Sequence, residues 1–204
     1  RFPSAISTLF LMLLLGQTIL NFPQGNDANP RRTAIITSLS FALSPLVIIW
    51  SRIAVSDALL CGTLGSSLLF LWRRYENPET QNYYIGWIFL GLAVLTKGPV
   101  AIVLLLMTIS LFGIQIKRFK LLLKRIKILK GLFIAALISL PWYLIELIVE
   151  GKPFWDSFFG YHNFQRFTSV VNSHSQPWWF FFFVFFIAAL PFTPVLILGI
   201  FQSF

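Results

Sequence analysis

Long apolar stretches separated by short polar connections repeat along the whole chain. Several of them run for about 17–20 residues, the length that an α-helix needs to cross the hydrocarbon core of a bilayer. The pattern predicts about seven transmembrane helices, over residues 4–20, 32–50, 58–72, 83–96, 99–116, 131–148 and 178–201. The last stretch contains Pro191 and Pro194, where we expect it to tilt or kink. The fold class expected is therefore all-α, a polytopic membrane protein.

Composition agrees with a membrane protein. Of the 204 residues, 57% are hydrophobic and 11% are charged, whereas a soluble domain carries about 25% charged residues. The net charge of +9 does not indicate nucleic acid, because nearly half of the basic residues lie in the block 117–130 and no nucleic-acid motif accompanies them. We expect membrane lipids as partners instead. The single cysteine, Cys61, lies in an apolar stretch and is expected to be a buried core thiol.

Lys97 is the only charged residue between positions 83 and 116. A charge in the middle of a bilayer costs about 3 kcal/mol on insertion scales. Gly98 and Pro99 follow it; glycine permits unusual turn conformations, and proline suits the start of a helix. The sequence therefore predicts a turn at residues 97–99 that brings Lys97 to the membrane surface.

The basic residues assign the connections to two sides of the membrane. With a turn at Lys97, eleven lysines and arginines fall on one side and five on the other. Cytoplasmic connections carry the excess of basic residues, so the poorer side is predicted to face outward. The five outward residues are Arg1, Arg52, Lys97, Lys152 and Arg166.

Side chains suited to catalysis gather on this predicted outward side. Arginine and lysine suit a phosphate anchored in lipid, and a nearby carboxylate suits a general base. The combination indicates an enzyme whose substrate hangs from a membrane lipid by a phosphate. The candidate residues are Arg52, Asp57, Lys97, His162, Arg166 and His174.

Three of these residues also have simpler structural interpretations. Asp57 could cap a helix by accepting hydrogen bonds from its first backbone N–H groups. Lys97 could anchor a helix end at the membrane surface. Arg52 could contact phosphate, pair with Asp57 or anchor its helix, although five residues is not a favourable spacing for a pair on one helix.

The two histidines leave a metal site open. They are twelve residues apart, which is not a spacing of two ligands on one helix, so a local zinc site is not expected. His162 could still ligate a metal with an acidic residue from elsewhere, or it binds substrate through sugar hydroxyls or phosphate. His174 could bind substrate similarly or cap the last helix. The adjoining Trp178, Trp179 and phenylalanine run indicate an interfacial belt, with a groove for a prenyl chain as the alternative.

Four segments resemble motifs of one enzyme family and occur in that family's order. They read RFPSA, SRIAVSDALL, GLAVLTKGPVA and FFGYHNFQRFTSVVNSHSQPWWFF. The chain resembles the membrane glycosyltransferases of GT-C type that use polyprenyl-phosphate sugars. This superfamily includes the protein O-mannosyltransferases and the bacterial aminoarabinose transferases that act on lipid A, and the resemblance is strongest to the bacterial branch.

The resemblance implies that a sugar moves from a polyprenyl-phosphate donor to a lipid or protein acceptor at the outer face of the bacterial inner membrane. It implies an assisting role for Asp57, donor-phosphate binding by Lys97, Arg52 and Arg166, and substrate binding by His162 and His174. The reaction would be inverting and would need no nucleotide, and a divalent metal is left open. Residues 1–204 would be part of a single glycosyltransferase domain.

The resemblance also places the main catalytic carboxylate in an outer loop that precedes Arg1. The chain starts with RFPSA, and we expect it to be an internal piece that is inactive alone. A transporter or flippase for an anionic lipid or solute is the alternative function, and a structural membrane subunit is a third. The ionisable residues lie mostly at predicted helix ends on one face, which favours surface chemistry over transport.

Overall fold

The structure is a computed structural model that describes residues 1–23, 29–79, 81–158, 160, 177 and 179–202. Its elements are helices, and no strand occurs among these residues. In chain order the helices are α1 (Phe2–Asn21), α2 (Pro30–Leu43), α3 (Pro45–Arg52), α4 (Ser56–Glu76), α5 (Tyr83–Lys97), α6 (Val100–Gln115), α7 (Phe119–Ile126), α8 (Ile128–Glu150), the single turn α9 (Lys152–Phe154), α10 (Phe180–Ala188) and α11 (Thr193–Gln202).

The predicted all-α fold class is confirmed, but the count of seven transmembrane helices is not. Among the described residues, α1 and α8 are the helices both long and apolar enough to cross a membrane, and the number rises to four if each of two bent helix pairs counts as one span. Helices α5 and α6 are apolar but have only 15 and 16 residues. Helix α4 has 21 residues, but Asp57 lies in its first turn and Arg73 and Arg74 in its last.

Two of the predicted continuous helices are broken. The stretch 32–50 divides into α2 and α3, which meet at an angle of 61° between Leu43 and Pro45. Proline forces the preceding residue towards extended backbone, and Ser44 has a ψ of 129°. The stretch 178–201 divides into α10 and α11 at 109°, so the kink expected near Pro191 is a full break between Ala188 and Thr193.

The predicted turn after Lys97 is confirmed. Helix α5 ends at Lys97 and α6 begins at Val100. Gly98 has a φ of 77°, in the left-handed region where glycine carries no Cβ penalty. The turn therefore puts Lys97 at one end of the α4–α5 pair.

The core lies where α4, α5 and α8 pack, with α1 against α4 and with α6 and α7 adjoining. Trp87 and Leu90 of α5 are fully buried, as is Leu105 of α6. Gly131 of α8 lies directly against the indole ring of Trp87, and a Cβ there would overlap the ring. Small residues let helices in membranes approach closely, which is what Gly131 does here.

The end of α4 extends further than predicted. The sequence places Arg73 in a polar connection, yet it is 5% exposed and faces α1. Its guanidinium donates to Thr18 Oγ1 at 2.9 Å, to the carbonyl of Leu14 at 3.2 Å and to Gln17 Oε1 at 3.4 Å. Three acceptors on one neighbouring helix compensate the burial of this charge.

Candidate functional site

An ion pair joins the start of α4 to the end of α5. Asp57 is the second residue of α4, and Lys97 is the last residue of α5. A short connection makes the two helices antiparallel, so these residues meet although 40 positions separate them. Lys97 Nζ donates to Asp57 Oδ1. This contact is the single salt bridge among the described residues.

The helix ends favour the charges that they carry. A carboxylate is stabilised in the first turn of a helix and an ammonium in the last turn, where the partial charges of the backbone are opposite in sign. Asp57 does not cap α4, because Val55 holds the cap position and no side chain accepts a cap hydrogen bond there. The capping interpretation of Asp57 is therefore wrong. The pair remains open to solvent or ligand, since the side chains of Lys97 and Asp57 are 38% and 45% exposed.

Helix α8 holds the end of α5 that carries Lys97. The carbonyl oxygen of Val94 accepts two hydrogen bonds, from the backbone N–H of Gly98 and from Tyr143 Oη, each at 2.7 Å. Tyr143 is 8% exposed. Tyr143 is not among the candidate residues that the sequence indicates; the signal that could have found it is that a buried tyrosine hydroxyl needs a partner.

Asp57 lies at the edge of an apolar cleft of about 340 Å³. Helices α2 and α3 both line it, since Phe41 precedes their bend and Trp50 follows it. Among the described residues that line the cleft, Asp57 carries the single charge. The lining residues are Thr8, Leu11, Phe41, Leu46, Val47, Trp50, Ser51, Asp57, Ala58, Cys61, Gly62 and Val184.

The sequence predicts that Cys61 is buried in the core, but the structure places it outside the core. It lies one turn after Asp57 on α4, lines the cleft and is exposed. An apolar stretch cannot by itself tell a core-facing position from a cleft-facing one, which explains the error.

Arg52 lies beside the cleft but is not the partner of Asp57. It is the last residue of α3, follows the lining residue Ser51 and is exposed. Lys97 takes the carboxylate instead, so the proposed Arg52–Asp57 pair is not formed. Within the described ranges, the guanidinium of Arg52 shows no hydrogen bond or ion pair.

The other predicted site residues lie outside the described residues. These are His162, Arg166 and His174, and Trp178 lies there too. In the part of the chain that the structure describes, no three His, Cys, Asp or Glu side chains come together as metal ligands would. The prediction about His162 and a metal therefore stays a prediction.

The phenylalanine run forms a second apolar groove. Residues of α10 and α11 line a space of about 520 Å³ between the two helices, and most of these side chains are exposed. Both the interfacial belt and the prenyl groove are compatible with this surface. The lining residues are Phe181, Phe182, Phe185, Phe186, Ile197, Ile200 and Phe201.

Comparison with known proteins finds one matching family and several similar proteins. Residues 1–145 match the family described as dolichyl-phosphate-mannose-protein mannosyltransferase. The whole chain is 28% identical to a Pseudomonas fluorescens protein named undecaprenyl phosphate-alpha-4-amino-4-deoxy-L-arabinose arabinosyl transferase 1, of which it covers 36%. A protein of Erwinia tasmaniensis with the corresponding transferase name is 29% identical over 81% of the chain and 30% of its own length.

A third relative, an uncharacterized protein of Aquifex aeolicus, is 30% identical over 82% of the chain and 36% of its own length. The chain thus spans about a third of the length of these curated relatives. No solved structure matches the chain significantly.

Proposed function

The chain belongs to the dolichyl-phosphate-mannose-protein mannosyltransferase family, and on that premise we propose that it forms part of a membrane glycosyltransferase. The enzyme takes a sugar from a polyprenyl-phosphate donor and passes it to a lipid or protein acceptor. Residues 1–204 belong to its single membrane-embedded domain. Relatives named as undecaprenyl-phosphate aminoarabinose transferases support a donor of this class.

The observation that carries the proposal is the Lys97–Asp57 pair at the edge of the apolar cleft. A polyprenyl-phosphate sugar has an apolar chain, an anionic phosphate and a sugar at its polar end. An apolar cleft beside an ammonium and a carboxylate offers one partner to each of these parts. We place the phosphate at Lys97 Nζ and the first isoprene units in the cleft.

The phosphate can take Lys97 from Asp57 at small cost. Both side chains are more than a third exposed, and exposed ion pairs contribute about 0–1 kcal/mol. Charge-assisted hydrogen bonds to a phosphate are stronger than that. Donor binding would therefore free the carboxylate of Asp57 just where the acceptor must approach.

The transfer step then uses both groups. The acceptor oxygen forms a bond to the anomeric carbon while the bond from that carbon to the phosphate oxygen breaks, and the phosphate leaves with the electron pair. The ammonium of Lys97 stabilises the negative charge that grows on the leaving oxygen. When the acceptor is a hydroxyl, its proton passes to a carboxylate, and Asp57 assists there.

Further residues complete this proposal. Arg52 offers a second cation next to the cleft and is exposed. Arg166 joins it as a phosphate ligand, and His162 and His174 bind substrate, on the strength of the sequence motifs alone. The excess of basic residues at the opposite end of the bundle supports an outward-facing site in a bacterial inner membrane.

Labelled donors distinguish this function from transport. The full-length protein in sealed vesicles would receive a polyprenyl-phosphate sugar labelled in the sugar, or the matching nucleotide sugar, together with lipid and protein acceptors. The proposal expects label on an acceptor from the polyprenyl donor and not from the nucleotide sugar. Movement of intact donor across the vesicle membrane without transfer would overturn it in favour of a flippase.

A further inference from the structure

The segment 117–130 carries a positive surface, of which one cation, Lys127 Nζ, lies 4.4 Å from the centroid of the Tyr83 ring. Six of its basic side chains are exposed, the block contains no Asp or Glu, and within the described ranges none of the six has an acidic partner. The six residues are Lys117, Arg118, Lys120, Lys124, Lys127 and Lys130. The sequence predicts this block as a connection between helices, but residues Phe119–Ile126 of it form the helix α7.

Helix α7 is fixed to the bundle by its apolar face and by backbone contacts. Leu122 and Ile126 are buried, at 3% and 1% exposure. Trp87 Nε1 donates to the carbonyl of Ile126 at 2.9 Å. The seventh basic residue of the block, Arg125, points inward instead, and its guanidinium donates to the carbonyl of Tyr75 at 2.8 Å.

The direction of α7 differs from that of its neighbours. Lys117, before its start, and Lys127, after its end, have φ values of 54° and 53°. A residue in the left-handed backbone conformation ends one helix and redirects the chain. The chain therefore turns at both ends of α7, so that α7 continues neither α6 nor α8. The exposed cations lie together on α7 and its flanks.

The surface lies at the end of the bundle opposite to the Lys97–Asp57 pair. Its anchors, Trp87 and Tyr75, belong to the first part of α5 and the last part of α4. Highly exposed apolar side chains adjoin it on α6 and α8, at 70% for Ile114, 82% for Leu129 and 68% for Phe133. Apolar side chains this exposed are suited to contact with lipid tails, and lysine or arginine side chains beside them can then reach the headgroups.

We propose that the exposed face of α7 and its flanks binds the phosphates of anionic phospholipids in the adjacent leaflet. Clusters of four to eight basic residues directly beside a transmembrane helix are attracted to anionic headgroups. A fixed helix gives the cluster a defined shape, in contrast to a loop. The apolar side chains next to the cations favour lipid over a soluble anionic partner. This inference does not depend on the proposed transferase activity.

Two matched double variants test it in the full-length protein. Lys120→Gln with Lys124→Gln removes two exposed cations one turn apart on α7. Arg1→Gln with Lys152→Gln removes two exposed cations on the predicted outward side, at the opposite end of the bundle. Each protein is placed in nanodiscs of phosphatidylcholine with a photoactivatable phosphatidylglycerol, and cross-linked residues and competition by unlabelled phosphatidylglycerol are measured.

Cross-links in the original protein are expected within residues 117–130. Each basic residue near an anionic surface contributes a factor of about five. The α7 double variant should therefore lose affinity for phosphatidylglycerol at residues 117–130 by about 25-fold at low salt, while the double variant of Arg1 and Lys152, whose cations lie at the other membrane surface, keeps it within about twofold. Equal losses in both variants, no loss in the α7 variant, or cross-links confined to other segments would overturn the proposal.

Discussion

Tyr143 of α8 donates a hydrogen bond from Oη to the carbonyl oxygen of Val94 in α5, over 2.7 Å. The same carbonyl accepts the N–H of Gly98, which follows Lys97. Tyr143 thus acts on the candidate site through the backbone of α5, without touching either charged side chain. In the proposed enzyme it is a positioning residue for Lys97.

Tyr143→Phe should impair use of the donor substrate while lowering the free energy of unfolding only slightly. The ring and its contacts to Trp142 and Phe158 remain, and the Val94 carbonyl keeps its bond to Gly98. Loss of one hydrogen bond lowers the free energy of unfolding by about 1 kcal/mol. Because Lys97 is proposed both to bind the donor phosphate and to stabilise it as it leaves, we expect the KM for the donor to rise and kcat to fall, each several-fold. Tyr84→Phe, at an exposed position, is the control, and an equal rise there would contradict the positioning role.

Arg73→Ala should lower the stability of the protein more than the substitution of an exposed arginine does. The change leaves the buried acceptors of Thr18 and Leu14 without their charged donor. Hydrogen bonds of charged groups contribute about 1.5–3 kcal/mol. The melting temperature in detergent should therefore fall by several degrees. Arg32→Ala, which removes an exposed side chain, should leave it within about one degree, and similar losses in both variants would contradict the α1–α4 contact.

Gly131→Ala should disturb the packing of α8 on α5. The new methyl group would overlap the ring of Trp87, and overpacking of this kind costs about 1–3 kcal/mol. Gly199→Ala adds the same methyl group where no atom lies within 4 Å. Thermal unfolding of both variants checks this: a lower melting temperature is expected for Gly131→Ala alone. A neutral Gly131→Ala would show that the two helices are further apart.

Cys61→Phe should block the cleft without unfolding the protein. The residue is exposed and lines the cleft one turn from Asp57, so a larger side chain projects into the space assigned to the isoprene units. We expect loss of donor binding by at least tenfold, with an unchanged melting temperature. Cys61→Ala, which enlarges the cleft, is the matched control. Normal donor binding by Cys61→Phe would place the lipid chain elsewhere, for example between α10 and α11.

The sequence predicted local features better than contacts between distant residues. The turn after Lys97 could be predicted because one lysine, a glycine and a proline occur together in an otherwise apolar stretch. The break at Ser44 could have been predicted from Pro45, but the apolar pattern continues across it and concealed it. The sequence predicts the end of this helix at residue 72 because arginine favours contact with water, whereas α4 continues to Glu76 and buries Arg73.

Pairings across the bundle were beyond what a single sequence provides. Arg52 is a candidate partner of Asp57 in the sequence because it is five positions away, whereas Lys97 is 40 positions away. Only the packing of α4 on α5 brings Lys97 close. The hydrogen bond of Tyr143 to Val94 and the direction of Cys61 likewise depend on which faces of the helices meet, and hydrophobic patterns in membranes mark those faces weakly.

The central claim, that Lys97 holds the donor phosphate, is tested most directly by sugar transfer in Lys97→Ala. The full-length protein would be assayed in membranes with a labelled polyprenyl-phosphate sugar, and rates would be divided by the amount of folded protein. Lys152→Ala, which removes another exposed lysine of the predicted outward side, is the control. The account predicts that Lys97→Ala reduces transfer by about 100-fold or more, as loss of one group that stabilises developing negative charge does, and that Lys152→Ala does not. Equal transfer by both variants would contradict it and leave Lys97 as an anchor of α5 at the membrane surface.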